Sequence, residues 1–198
     1  GMTPEIANAL KQKALEKSHL LYKALGKIGI LIDNSQSMKG SETQFMRPVS
    51  VALATRDFLV AASEEAKVLY TNVWKTEDDL LPDIQGDTSL SRGLIELLET
   101  DVQSVFILSD GYENAPAGRT NEVLHLARKL GIEKPVFQLN PVIAAEAGGI
   151  KKLSKNIPAI SVSAPETVFT GVMREILKID IEKGMTLMLK QVSNQLTV

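Results

Sequence analysis

Residues 28–40 read Ile28-Gly29-Ile30-Leu31-Ile32-Asp33-Asn34-Ser35-Gln36-Ser37-Met38-Lys39-Gly40. The first five are apolar or small and do not alternate with polar residues. Such a run marks a strand buried on both faces, the kind found in a parallel sheet. It stops at Asp33, and polar residues follow as far as Gln44. Pro48 stands where a helix is expected to begin. Val49, Leu53, Phe58 and Leu59 then fall in a helical segment reaching residue 66.

The same alternation continues along the chain. Strands are expected at 68–73, 102–108, 136–139 and 157–162, where β-branched and aromatic residues gather. Helices are expected at 89–98, 121–130 (ended by Gly131) and 165–179, with a short helical stretch at 142–154 weakened by Gly148 and Gly149. Pro82 confines any strand at 79–84 to an edge. Strands alternating with helices predict an α/β fold: a doubly wound, mostly parallel central sheet with helices on both faces, and one short antiparallel edge strand. The domain is expected at 27–181. An amphipathic helix precedes it within 3–26, where Ile6, Leu10, Ala14, Leu21 and Leu25 recur near the helical period. Residues 182–198 form an extension whose pattern fits strand and helix alike. Gly1 before Met2 reads as a cloning scar.

Composition narrows the chemistry. The 198 residues carry a formal net charge of -2, no cysteine and two histidines, His19 and His125. Zero cysteines exclude disulfides, iron–sulfur clusters and cysteine-ligated zinc. Two histidines, each expected to pack or sit on a helix surface, exclude a multi-histidine metal site. Any metal site must be built from oxygen, which favours Mg2+ or Mn2+, with Ca2+ also possible. The near-neutral charge gives no field to draw in nucleic acid or an anionic membrane. No apolar run is long enough to span a bilayer, and Lys11, Lys13, Glu16 and Lys17 break up any signal-peptide core. A cytoplasmic location is expected.

Three separated pieces carry candidate oxygen ligands. Asp33, Ser35 and Ser37 follow the first strand. Thr88 follows Gly86 and Asp87, ahead of a helix. Asp110, within Ser109-Asp110-Gly111, follows the third strand. In an open parallel sheet, loops leaving the carboxyl ends of the strands share one edge and form a crevice. Spaced by two, Ser35 and Ser37 are expected to point the same way if the loop stays extended. Two carboxylates and three hydroxyls make a hard-oxygen site, with water completing an octahedron around magnesium.

Asp33-x-Ser35-x-Ser37, continued by Met38 and Gly40, resembles the Asp-x-Ser-x-Ser signature of von Willebrand factor A-type domains. Thr88 falls where that family's metal-site threonine stands, and Asp110-Gly111 is similar to its second aspartate. The resemblance covers 28–177 in the order of elements, and those motifs in detail. It implies a metal-ion-dependent adhesion site. Ser35 and Ser37 would ligate directly, Thr88 directly or through water, and Asp33 and Asp110 mostly through water. It further implies a protein partner that supplies an acidic residue to the metal, so a binding module rather than an enzyme. Asp87, where many relatives have glycine, departs from the pattern, and the loop at 40–47 is longer than usual.

Two other functions compete. Asp33 after a buried strand also suits the nucleophile of a metal-dependent phosphoryl-transfer hydrolase, although that class wants a second aspartate where Ser35 stands. An accessory domain of a Ro-like ribonucleoprotein is the other, although the basic, aromatic-rich surface of an RNA binder is missing. Thr88 could also cap a helix, a role compatible with ligation, and ligation is the favoured reading. Tyr112 and Glu113 are expected to be solvated, and Trp74 is placed near the crevice edge, as core or partner contact.

Overall fold

The structure is a computed structural model that describes residues 25–72, 84, 86–142, 150–163, 165–179, 181, 182, 185, 186, 189 and 193. The expected helix at 3–26 lies outside them except for its last two residues. So do His19, Trp74, the expected edge strand except Ile84, residues 143–149 and most of 182–198.

Five strands form one sheet: β1 (Lys27–Ile32), β2 (Glu65–Tyr70), β3 (Ser104–Leu108), β4 (Val136–Asn140) and β5 (Ala159–Ser161). Their order is β2-β1-β3-β4-β5 and every pairing is parallel. Among the described residues, four helices cover it: α1 (Arg47–Ala62), α2 (Ser91–Glu99), α3 (Arg119–Lys129) and α4 (Pro165–Ile179). This is the expected doubly wound α/β fold. No antiparallel strand occurs among the described residues, and none of their helices is long and apolar enough to cross a membrane.

The missing alternation in β1 has a direct cause. Ile28, Ile30 and Ile32 pack with Phe106, Leu108, Phe137 and Leu139 against Val49, Leu53 and Leu59 of α1 and Val168 and Val172 of α4. Leu31, between them, faces the other way, with Val105 and Ile107, against Leu94 and Leu97 of α2 and Val123 and Leu124 of α3. Both faces are core, so both strand parities are apolar. Each fully buried side chain of this size contributes about 1.5–3 kcal/mol. Phe106 and Phe137 stack on neighbouring strands with ring centroids 5.3 Å apart.

Several boundaries move from their expected places. α1 ends at Ala62 rather than 66, and β2 begins at Glu65 rather than 68. The Glu64 N–H donates to the Gly26 carbonyl at 2.8 Å, which draws the chain into the ladder early. The helix expected at 142–154 is not formed at 150–154. There the side chain of Gln138, in β4, takes over the backbone pairing: it accepts from Leu153 N–H at 2.9 Å and donates to the Lys151 carbonyl at 2.8 Å.

Strand order decides where a ligand can bind. From β1 the chain crosses to β2 on one side, then returns past β1 to β3 on the other. The loops after β1 and β3 therefore diverge and leave a crevice at the carboxyl edge of the sheet. Asp33 follows β1 and Asp110 follows β3, so both stand at this point of reversal.

Candidate metal centre

Asp33 extends the β1–β3 pairing by one residue, its N–H donating to the Leu108 carbonyl at 2.9 Å. Its carboxylate is fully buried. Oδ1 accepts from the Ser35 N–H at 3.0 Å, and Oδ2 accepts from the Ser109 hydroxyl at 2.9 Å. After Ser35 the chain does not stay extended. It enters a 3-10 turn, Gln36–Lys39, pinned by Met38, which is wholly buried in the α1 side of the core. The turn brings the Ser35 and Ser37 hydroxyls to 3.1 Å. They converge as expected, but by curvature rather than by the two-residue period of a strand.

Thr88 arrives from the loop before α2. Its hydroxyl donates to Ser35 Oγ at 2.7 Å. Its N–H donates to Asn114 Oδ1 at 2.8 Å, and its carbonyl accepts from Ala115 N–H at 3.2 Å. The helix begins at Ser91, with Leu90 in the capping position. Thr88 is thus committed to the crevice and does not cap α2.

Asp110 completes the set. Its carboxylate accepts from the Tyr112 N–H at 3.0 Å, and the Ser37 hydroxyl lies near enough to lower its pKa. Gly111 follows with φ +88, and a Cβ there would lie 2.2 Å from the Lys151 carbonyl oxygen, so only glycine fits. Asp33, Ser35, Ser37 and Thr88 join in one hydrogen-bonded network, and Asp110 stands beside it, within electrostatic reach of Asp33 and Ser37. Asp33, Ser35, Thr88 and Asp110 are buried, whereas Ser37 is exposed and marks the open side. Asp87 is exposed beside Thr88.

The supporting shell was not anticipated. Asn34 is buried and joins the β1 and β2 loops: its Oδ1 accepts from Thr71 Oγ1 at 2.9 Å and Asn72 N–H at 2.8 Å. Asn140 Nδ2 donates to the Asp110 carbonyl at 2.9 Å. Glu113 is no loose surface acid; it accepts from the N–H and hydroxyl of Thr120 in the first turn of α3, the hydroxyl at 2.6 Å. Polar residues at the carboxyl ends of apolar strands were the available signal for Ser109 and Asn140. His125 is exposed on α3, away from the centre.

Electrostatics sharpen the picture. Burial pushes the Asp33 carboxyl up to about 6; hydrogen bonds from Ser35 and Ser109 oppose this, and the negative charge of Asp110 adds to it. Burial also raises Asp110, against the pull of Tyr112 N–H, the Ser37 hydroxyl and the Lys151 charge. Two adjacent carboxylates thus stand in a poorly solvated niche.

The donor set fits a small hard cation. Adjacent ligands around an octahedral Mg2+, each at 2.0–2.1 Å, lie about 2.9 Å apart. The Ser35–Ser37 and Ser35–Thr88 oxygen separations, 3.1 and 2.7 Å, bracket that value. Among the described residues no cluster of three or more His, Cys, Asp or Glu forms, so a cation at this crevice would need hydroxyl ligands as well. Comparisons of the chain with protein-family models, with curated proteins and with solved structures find no match.

Proposed function

We propose that this chain is a protein-binding module of the von Willebrand factor A type, dependent on a divalent cation held by Asp33, Ser35, Ser37, Thr88 and Asp110. The observation that carries it is the spacing of the three hydroxyl oxygens, 3.1 and 2.7 Å, in front of two buried carboxylates. That spacing suits the octahedron of Mg2+ or Mn2+, with Ca2+ also accommodated in a higher coordination number.

The residues divide the work. Ser35, Ser37 and Thr88 offer neutral oxygens, which leave the charge of the ion largely unquenched toward solvent. Asp33 and Asp110 stand behind as counter-charges, held in place by Ser109 and by the Tyr112 N–H. A cation bound there supplies an electrophilic position that a partner's aspartate or glutamate fills as the last ligand. Ser37, on the exposed side, gives the direction of approach. A cytoplasmic site of action accords with a cysteine-free, oxygen-only design.

The hydrolase alternative is less well supported. Both oxygens of Asp33 already accept hydrogen bonds and the residue is fully buried, so neither is aimed at an incoming phosphorus. Calorimetric titration of Mg2+ and Mn2+ into wild type and Asp33→Ala tests the proposal. Saturable heat from wild type alone is expected. No heat with either ion, or equal heat from both proteins, overturns it. Metal-dependent cleavage of a chromogenic phosphate ester, lost in Asp33→Asn, puts the hydrolase in its place.

A further inference from the structure

A cleft of about 420 Å3 adjoins the centre, sharing Ser37 and Asp110 with it. Gly40, Gln44, Arg47, Pro48 and Tyr112 also line it. Resting on the cation-dependent reading above, we propose that this cleft receives a second acidic side chain of the same partner segment, with Arg47 as its counter-ion.

Arg47 is the feature that decides the occupant. Its NH1 donates to the neutral Gln44 amide oxygen at 2.5 Å. It makes no ion pair among the described residues, whereas Lys27, Arg56, Lys67 and Arg119 are each matched with a carboxylate. Asp110, already engaged in the centre, is the one carboxylate in the lining. The remaining donors of the guanidinium fork suit a carboxylate, which takes two at once.

The flanking loops reinforce that charge. Lys151 lies over the Tyr112 ring, 3.3 Å from its centroid, and Lys39 lies 5.3 Å from the centroid of Phe45. Tyr112 and Phe45 are 50% and 62% exposed, offering apolar contact to a peptide backbone. In an extended segment, side chains two residues apart point to the same side about 7 Å apart. One then reaches the cation while the other enters the cleft.

Two blocked peptides test this in Mg2+-containing buffer: one with a single aspartate among glycines, and one with a glutamate two residues to either side of that aspartate. The wild type is expected to prefer the second by about tenfold, an effect fitting one charge-assisted contact. Arg47→Gln is expected to bring that ratio to near one, Arg47→Lys to an intermediate value, and Arg128→Gln, on the opposite edge of the sheet, to leave it as in wild type. Equal Mg2+ titrations show that each variant is folded. Single-aspartate binding with no preference in wild type, or a preference that survives Arg47→Gln, overturns the inference and leaves the cation reading standing. No binding of either peptide by the Mg2+-loaded protein overturns both.

Discussion

The Thr88 hydroxyl donates to Ser35 Oγ at 2.7 Å, bridging 53 positions of sequence. This contact ties the loop before α2 to the loop after β1. Thr88→Val keeps the shape and removes the donor. It leaves Ser35 with one partner fewer in a buried place, so a loss of about 1 kcal/mol in stability is expected. Mg2+ affinity is expected to fall at least tenfold, because an oxygen ligand is gone. Urea unfolding and calorimetry check the two effects; unchanged Mg2+ affinity contradicts a ligand role for Thr88.

Asp33 makes the cation-free protein sensitive to pH. Burial holds its carboxyl at about 6 in the folded chain, against an ordinary 3.8. The folded state therefore binds a proton more tightly than the unfolded chain, and stability falls as pH rises through 6. The expected loss between about pH 5 and about pH 7 is on the order of 1 kcal/mol. Asp110, also raised by burial, acts in the same direction. Asp33→Asn removes the Asp33 share. Urea unfolding in chelator across this range measures it, and equal slopes for the two proteins contradict it.

Gly111 cannot carry a side chain. With φ +88 and the Lys151 carbonyl in the way, Gly111→Ala is expected to cost more than about 2 kcal/mol, through strain and displacement of loop 150–154. Gly131, also at positive φ but with open space around it, is the control. Gly131→Ala is expected to cost about 1 kcal/mol. Thermal melting of both variants decides between a packing role for Gly111 and a merely conformational one.

Asn34 joins two strand ends through four hydrogen bonds, to Thr71 Oγ1 in both directions and to the Asn72 N–H and carbonyl. Asn34→Ala removes the side-chain bonds and leaves buried groups unpaired. A loss of about 2–3 kcal/mol is expected in chemical unfolding. A loss below about 0.5 kcal/mol contradicts the clamp.

Much of this was legible in the chain. The unbroken apolar run of β1, with Asp33 at its end, announced a strand between two helical layers, and the strand–helix alternation then set the fold. The ligand candidates were legible because their chemistry, two carboxylates and three hydroxyls, followed strand ends or preceded a helix. What the chain hid were relationships that depend on tertiary register. Ser35 and Ser37 meet through a 3-10 turn anchored by the burial of Met38, which no local period announces. Gln138 carries no local sign of its role, yet it organises loop 150–154 in place of the helix expected there. The early start of β2 follows from Glu64 pairing with Gly26, a contact between distant positions.

A divalent ion among Asp33, Ser35, Ser37, Thr88 and Asp110 is the central expectation. Mn2+ titrated into 15N-labelled protein locates it directly, because the ion broadens amide signals nearby. The first amides to disappear are expected to be those of residues 33–38, 88 and 110–112, while those of 128–135, on the opposite edge of the sheet, persist. Asp33→Ala is expected to abolish the effect. Broadening that begins elsewhere, or that is the same in Asp33→Ala, contradicts a cation centre at this crevice.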